Sequence, residues 1–110
     1  MVEPRDLAPG RAMVDCFAPF LRHLLSAGLT GKTLRRHRDN LWLLGGELIR
    51  RLHEEPRLRR RGVIDVVIAA IHHDEGPLIR GGSSEHEQRA FDATCRKLHR
   101  FLIAHQATTR

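Results

Sequence analysis

Eight histidines and two cysteines are the side chains of this 110-residue chain that could bind a metal or act as nucleophiles. A metal site needs ligands that converge on one point, and no pair of histidines has the spacing of a helical HExxH site or of a zinc finger. His72, His73 and Asp74 are adjacent, so on a helix their side chains point in different directions. The sequence therefore predicts no metal site and no cofactor. We expect His37 and His105 to border the core and the other histidines to be solvated.

The two cysteines, Cys16 and Cys95, fall on the apolar faces of predicted helices, and the chain has no CxxC pair. A thiol buried among apolar groups is unreactive, whereas a nucleophilic cysteine needs exposure and a nearby positive charge. We predict two free, buried thiols of the kind found in a reducing compartment. Gly45–Gly46 and Gly81–Gly82 do not form a glycine-rich phosphate loop, so the sequence offers no small-molecule site.

The basic side chains are unevenly placed along the chain. Lys and Arg number 19 against 13 Asp and Glu, which gives a net charge of +6. Residues 31–61 hold ten of the basic and four of the acidic residues, so this segment carries the whole excess. Four of its arginines, Arg57 and Arg59–Arg61, stand in a charged linker after Pro56. Local positive charge is expected of a protein that binds a polyanion, although a solvated arginine-rich surface would have the same composition.

Apolar residues recur at helical spacing in several segments, and no segment alternates apolar with polar residues. The third segment, VIDVVIAAIHH, is rich in β-branched residues and would permit a strand, but a single strand has nothing to pair with in a helical chain. We therefore predict an all-α fold with one domain over residues 13–105. Its helices are predicted over residues 13–27, 31–53, 63–72 and 85–105, with a flexible arm over residues 1–12 and a frayed tail over residues 106–110.

Capping residues mark the predicted ends of these helices. Thr30 is a candidate N-cap of the second helix, and Ser84 to Glu87 reads as a capping box before the fourth. Gly28 is placed to end the first helix, whose start we expect near Asp15 because Pro19 is tolerated only in a first turn. The short connections predict a small four-helix antiparallel bundle.

The centres of the apolar stripes define the predicted core. Leu41 and Leu48 of the second helix should be buried against side chains of the first and fourth helices, namely Phe17, Leu24, Leu98 and Leu102. The opposite face of the second helix is basic, and Leu43 is the one leucine on it.

The second helix opens with a Leu-Thr-x-x-Thr pattern followed by spaced large residues: Leu29, Thr30, Thr33, His37, Leu41 and Leu44. This pattern resembles the N-terminal core-binding domain, a SAM-like domain, of tyrosine recombinases (phage integrases). That family more often has tyrosine at the position of His37 and phenylalanine at the position of Leu44. The last helix, AFDATCRKLHRFL, is similar to the closing helix of the same domain, so the resemblance covers about residues 13–105.

The resemblance implies a role in DNA binding without catalysis. The family's catalytic tyrosine lies in a separate C-terminal domain, and this chain contains no tyrosine, so we expect no strand cleavage by this chain alone. In the family the second and fourth helices of this domain lie across double-stranded DNA. Carried over by position, the residues expected to contact DNA are Thr30, Lys32, Thr33, Arg36, Arg89, Arg96 and Arg100. A catalytic recombinase or a second copy of the chain would be the protein partner.

An alternative is a helical protein-interaction or dimerisation module that keeps the fold and does not bind DNA. Leu43 favours it, because a dimer through the polar face of the second helix would cover this leucine together with neighbouring arginines. The chain shows neither a signal peptide nor an apolar run of the roughly 20 residues that span a bilayer. We therefore expect a cytoplasmic protein with no membrane partner.

Overall fold

The computed structural model describes residues 7–71, 76–77 and 84–108, and in this part of the chain every regular element is helical. Four α-helices and one short 3₁₀ helix pack into one body of about 40 × 37 × 26 Å. The prediction of an all-α fold with four helices is confirmed. The helices are α1 (Leu7–Ser26), α2 (Gly31–Glu54), α3 (Val63–Ala70) and α4 (Glu85–Thr108), and the 3₁₀ helix covers Pro56–Arg60.

The first helix begins earlier than the sequence predicted. The predicted arm covered residues 1–12, and Asp15 was the expected start of the helix so that Pro19 would fall in the first turn. In the structure α1 begins at Leu7 and carries Pro19 in its interior, so the arm prediction is wrong for residues 7–12. Residues 1–6 lie outside the described residues.

Burial explains why α1 tolerates Pro19. A proline inside a helix removes one backbone hydrogen bond and costs about 3 kcal/mol or more. Burying a large apolar side chain contributes roughly 1.5–3 kcal/mol. Three side chains that precede the proline are buried in the core, and together they offset its cost: Met13, Cys16 and Phe17.

The connection between α1 and α2 has the predicted chemistry. Gly28 has a φ of 81°, the left-handed conformation that suits a residue just past a helix end. Thr30 is the N-cap of α2, and its side-chain oxygen accepts a hydrogen bond from the backbone N–H of Thr33. The turn is short, so α1 and α2 lie side by side.

The central helix of the fold is α2, which contacts α1, α3, α4 and the 3₁₀ helix. Its leucines at the predicted stripe are buried, and Leu44 and Leu48 have no exposed surface. The predicted packing of Leu41 and Leu48 in one core with residues of α1 and α4 is confirmed. The buried apolar side chains of this core are Met13, Cys16, Phe17, Phe20, Leu24, Leu41, Leu44, Leu48, Leu52, Val66, Val67, Ala70, Ile71, Phe91, Cys95, Leu98 and Leu102.

The arginine-rich linker is more ordered than its composition suggested. Pro56–Arg60 forms a 3₁₀ helix, with proline in the first turn where its missing N–H is tolerated. Leu58, the one apolar residue among the arginines, packs against the core and holds this turn in place. The β-branched segment that follows is the helix α3, as predicted, and it ends at Ala70, two residues earlier than expected. His72, His73, Asp74 and Gly81–Gly82 lie outside the described residues.

The capping box of the last helix is confirmed. The backbone N–H of Glu87 donates to the Ser84 hydroxyl at 3.1 Å, and the backbone N–H of Ser84 donates to the Glu87 carboxylate at 3.3 Å. The backbone of α4 continues to Thr108, so the predicted frayed tail over residues 106–110 is wrong for its first three residues.

Gly76, in the connection before α4, lies against this helix. Its N–H donates to the carboxylate of Asp92 at 3.0 Å. A Cβ at this position would stand 2.5 Å from the sulfur of Cys95 and 3.0 Å from the ring of Phe91. The close approach of this backbone to α4 therefore requires glycine.

Candidate nucleic-acid interface

The first turn of α2 carries three of the seven residues predicted to contact DNA. Thr30 and Lys32 are exposed, and Thr33 is half-buried. The hydroxyl of Thr30 donates to the hydroxyl of Thr33 at 3.0 Å, so the two threonines are held together at the start of the helix. The partial positive charge of a helix N-terminus favours an anion at this position.

One turn further along, α2 meets α4 through a buried polar cluster of three residues. The Nδ1 atom of His37 lies 2.7 Å from the Thr94 hydroxyl, and the Asn40 amide donates to the same hydroxyl at 2.9 Å. Asn40 also donates to the carbonyl of Ala90 at 3.2 Å. A later residue of α2 thus reaches an earlier residue of α4, which shows that these two helices run antiparallel.

Hydrogen bonds satisfy this cluster completely. His37, Asn40 and Thr94 are the buried polar side chains among the described residues, and no buried side-chain polar atom there lacks a partner. A hydrogen bond contributes roughly 0.5–1.5 kcal/mol net, whereas a buried polar group left without its partner costs about 1–3 kcal/mol. Sliding α4 along α2 would break the bonds of Thr94 with His37 and Asn40 and the bond of Asn40 with the Ala90 carbonyl, so the cluster holds the two helices in one register.

The position of His37 differs from the expectation that it borders the core. Its side chain is buried between the helices, and its ring is hydrogen-bonded to α4. Burial lowers the pKa of His37, and the positive charges of Lys97 and Arg36 lower it further. The imidazole is therefore neutral at neutral pH. His105, by contrast, is exposed, and its ring lies tilted against the ring of Phe101 at a centroid distance of 4.0 Å.

Two exposed cations lie close enough to His37 to act on its ring, and they come from different helices. Arg36 precedes His37 on α2, and Lys97 lies one turn after Thr94 on α4. Neither cation forms an ion pair with a carboxylate among the described residues. We call the surface made by Arg36, His37, Thr94 and Lys97 the α2–α4 seam.

Lys97 is absent from the residues predicted from sequence. The prediction carried over only the arginines of the last helix. Thr94 contacts α2, and Lys97, three positions later on the helix, therefore points toward the same seam. The sequence alone does not reveal the contact of Thr94. An apolar stripe alone does not reveal which flank of a helix faces which neighbour.

The predicted arginines of α4 lie progressively further around that helix from the seam. At about 100° per residue, Lys97 stands about 60° from Thr94, Arg100 about 120°, and Arg89 and Arg96 about 140–160°. Arg100 is exposed, Arg89 approaches Glu85 at 3.9 Å, and Arg96 is half-buried. The structure thus brings Arg36 and Lys97 together with the first turn of α2. Arg89, Arg96 and Arg100 lie on the outer side of α4.

Many of the basic residues between 31 and 61 are paired within the chain. Arg50 pairs with Glu47 and Glu54, and Arg51 approaches Glu47 at 3.6 Å. Two further pairs join neighbours in sequence, Arg38 with Asp39 and Arg57 with Glu55. The positive charge available to a ligand is therefore smaller than the composition of the segment suggests.

The linker arginines do not join the seam. They follow the C-terminal end of α2, whose 24 residues span about 36 Å at a rise of 1.5 Å per residue. The seam lies near the N-terminal end of the same helix. An open cleft of about 290 Å³ lies at the linker end, with Leu58, Val66 and side chains of both charges in its walls.

The structure gives little support for a nucleophilic cysteine or for a metal site. Cys16 and Cys95 are free and buried, as predicted, and burial raises the pKa of Cys16 to about 11 and that of Cys95 to about 12. Such thiols are protonated and do not act as nucleophiles at neutral pH. Within residues 7–71, 76–77 and 84–108, no group of three or more His, Cys, Asp or Glu side chains could hold a metal ion.

None of the helices in the described ranges combines the length and apolar character required to cross a bilayer. In comparisons with known proteins, no family model, no curated protein and no solved structure matches this chain.

Proposed function

We propose that this chain is a non-catalytic module that binds double-stranded DNA, and that the α2–α4 seam contacts the phosphate backbone. This is the function implied by the resemblance to the core-binding domain of tyrosine recombinases. The observation that carries the proposal is the placement of Arg36 and Lys97, two exposed cations from different helices, beside one buried neutral imidazole.

The buried cluster supports the proposal because it holds the two helix positions that carry the cations in a constant relative position. The contacts of Thr94 with His37 and Asn40 prevent α4 from sliding along α2. Charges that are already placed need little ordering when a ligand binds, so less affinity is lost to conformational entropy. The N-terminus of α2 extends the positive surface at one end of the seam.

Salt dependence of duplex binding tests the proposal. Phosphate contacts release counterions, so the affinity should fall steeply with salt, with a slope of about −0.9 per neutralised phosphate. Removing one phosphate contact should lower that slope by about one unit. We expect this result for Arg36→Ala and for Lys97→Ala, measured by filter binding or calorimetry on duplexes of unrelated sequence.

The matched control is Arg60→Ala, which removes the same charge from the exposed linker at the other end of α2. It should leave the salt slope unchanged. Equal losses for all three variants would mean that net charge alone drives binding and that the seam is not the site. Absence of duplex binding at low salt by the unmodified protein would refute the proposed function.

A second candidate function is a helical protein-interaction module, and the exposed apolar side chains of α2 favour it. Leu43 was predicted to lie on the polar face, and 48% of its surface is exposed. Its partner would be a second copy of the chain or a catalytic recombinase. Sedimentation separates the two functions: a dimer that persists at high salt and ignores added duplex favours the interaction module.

A further inference from the structure

The outer face of α2, on the side away from the core, carries an exposed apolar patch in the middle of the helix. Trp42, the only tryptophan of the chain, is 73% exposed, and Leu43 beside it is 48% exposed. Gly46 follows one turn later and is also exposed. A Trp and a Leu side by side on the surface of a small domain are typical of an interaction site rather than of solvated surface.

Gly46 has no explanation within the folded chain. A glycine in a helix interior costs roughly 1 kcal/mol relative to alanine. A Cβ at Gly46 would meet nothing within 4 Å, so packing inside the chain does not require a glycine there. The missing side chain leaves open space beside Trp42 and Leu43, enough for an apolar side chain of a partner helix to approach the backbone of α2.

Charged residues flank this patch on both sides. Their signs alternate so that each would meet the opposite charge if a second α2 lay antiparallel across the patch. Arg35 and Asp39 precede the patch at helical spacing, and Arg50 and Glu54 follow it. Within one copy Arg50 pairs with Glu47 and Glu54, and Asp39 pairs with Arg38, so a second copy would share these charges in a wider network. If a second α2 lies antiparallel across the patch with a two-fold axis between Leu43 and Gly46, Asp39 faces Arg50 of the other copy. In the same register Arg35 faces Glu54 of the other copy. A parallel arrangement would instead place each charged residue opposite the same residue of the other copy, so that like charges would meet.

We propose that this face of α2 is a self-association surface that binds a second copy of the chain in an antiparallel, two-fold arrangement. Leu43 of each copy covers Gly46 of the other, Trp42 closes the apolar centre, and the two kinds of charge pair flank it. This proposal rests on the interaction role and is independent of DNA binding. Two helix faces of this length bury less area than a standard stable interface, so the association should be weak and should depend on protein concentration.

The proposed symmetry has a geometric consequence for the seam. The two-fold axis is perpendicular to the plane that contains the two antiparallel α2 helices. Rotation about this axis keeps each flank of α2 on the same side of that plane, so the α4 helices of both copies lie on one side of the pair. Residues 32–36 of the two copies would stand roughly 30 Å apart at 1.5 Å per residue, close to the length of one turn of B-DNA. Dimerisation through this face would therefore leave both seams accessible.

A charge-swap experiment tests this arrangement. In Asp39→Arg alone, the introduced arginine of each copy would face Arg50 of the other, and in Arg50→Asp alone, the introduced aspartate would face Asp39. Like charges placed face to face weaken association strongly. The association constant of each variant alone should therefore fall by at least about tenfold. An equal mixture of the two variants restores two opposite-charge pairs, and it should associate as well as the unmodified protein.

The measurement is sedimentation equilibrium from micromolar to millimolar protein concentration without DNA. Helical circular dichroism checks that each variant is folded, and Arg60→Ala is the control for a change of charge outside the patch. Rescue in the mixture supports the proposed register. A protein that stays monomeric throughout this range, or a dimer that neither single variant weakens, would overturn it. Weakening without rescue in the mixture would also overturn the antiparallel register. Duplex binding is measured separately, so failure of one proposal does not imply failure of the other.

Discussion

Thr94 is the centre of the polar contact between α2 and α4. It is 1% exposed, and its hydroxyl contacts His37, Asn40 and the Ala90 carbonyl. Thr94→Val keeps the shape of the side chain and removes these bonds. The buried His37 Nδ1 atom then loses its partner on α4, and Asn40 keeps only its bond to the Ala90 carbonyl. We expect the free energy of unfolding to fall by roughly 1–3 kcal/mol, measured by urea denaturation followed by circular dichroism.

The matched control for Thr94→Val is Thr33→Val in the first turn of α2, where the threonine is half-buried. The hydroxyl of Thr33 accepts a hydrogen bond from the Thr30 hydroxyl, and this bond is in contact with solvent. A surface substitution of this kind should change the free energy of unfolding by less than about 0.5 kcal/mol. Similar losses for the two variants would show that the buried cluster is not a special contributor to stability.

His37 makes the stability of the protein depend on pH. Its pKa is lowered in the folded state from the ordinary value of 6.5, because of burial first and of Lys97 and Arg36 second. The unfolded chain therefore binds a proton at a higher pH than the folded chain does. The contribution is fully present above pH 6.5 and is lost as the pH falls from that value through the folded pKa. The slope for one proton is at most about 1.4 kcal/mol per pH unit.

His37→Gln checks this assignment, because glutamine can still bond to Thr94 and does not titrate. The difference in stability between the unmodified protein and the variant should be constant above pH 6.5 and should shrink as the pH falls below that value, because only the unmodified protein loses the contribution of a neutral His37. The other histidines are common to both proteins and cancel in the difference. Parallel curves across this range would show that His37 is not the titrating group.

At the scale of the elements, two glycines in contrasting surroundings allow a paired prediction. Gly76→Ala would force a Cβ against Cys95 and Phe91, which should destabilise the protein by roughly 1–3 kcal/mol. Gly46→Ala adds a methyl group to open space on an exposed helix, which should stabilise the monomer by up to about 1 kcal/mol. Thermal unfolding at low protein concentration measures both. Shifts of the same sign would contradict the described position of Gly76.

The sequence predicts these elements well where local chemistry determines them. Thr30, Gly28 and the Ser84–Glu87 box mark helix ends through bonds made within a few residues, and all three act as expected. The start of α1 was predicted wrongly because Pro19 was read as a local constraint, whereas distant contacts of buried side chains outweigh it. The 3₁₀ helix was missed because a single leucine among arginines gives no period.

The candidate site was only partly predictable for a related reason. Helical spacing shows that Arg36 is exposed, but it does not give the rotation and register of α4 against α2. Both follow from the bonds among His37, Asn40 and Thr94, whose partners are 50 or more residues apart in sequence. Lys97 enters the seam only through that register.

At the scale of the whole molecule, the core that surrounds α2 determines the overall stability. Leu48 is completely buried, and Leu48→Ala should lower the free energy of unfolding by roughly 2–5 kcal/mol, a large share for a domain of this size. Leu43→Ala, five residues earlier on the exposed face, is the matched control and should cost less than about 0.5 kcal/mol in the monomer. Chemical denaturation of both variants gives the comparison, and equal losses would contradict the described rotation of α2.

The exposure of the only tryptophan has a practical consequence for studies of this protein. An indole that is 73% exposed already emits from a largely aqueous environment in the native state, so its fluorescence should change little when the core unfolds. The same indole lies in the patch where a second copy is proposed to bind. Its emission should therefore shift to shorter wavelength with increasing protein concentration, which makes Trp42 an optical reporter of assembly and a poor reporter of folding.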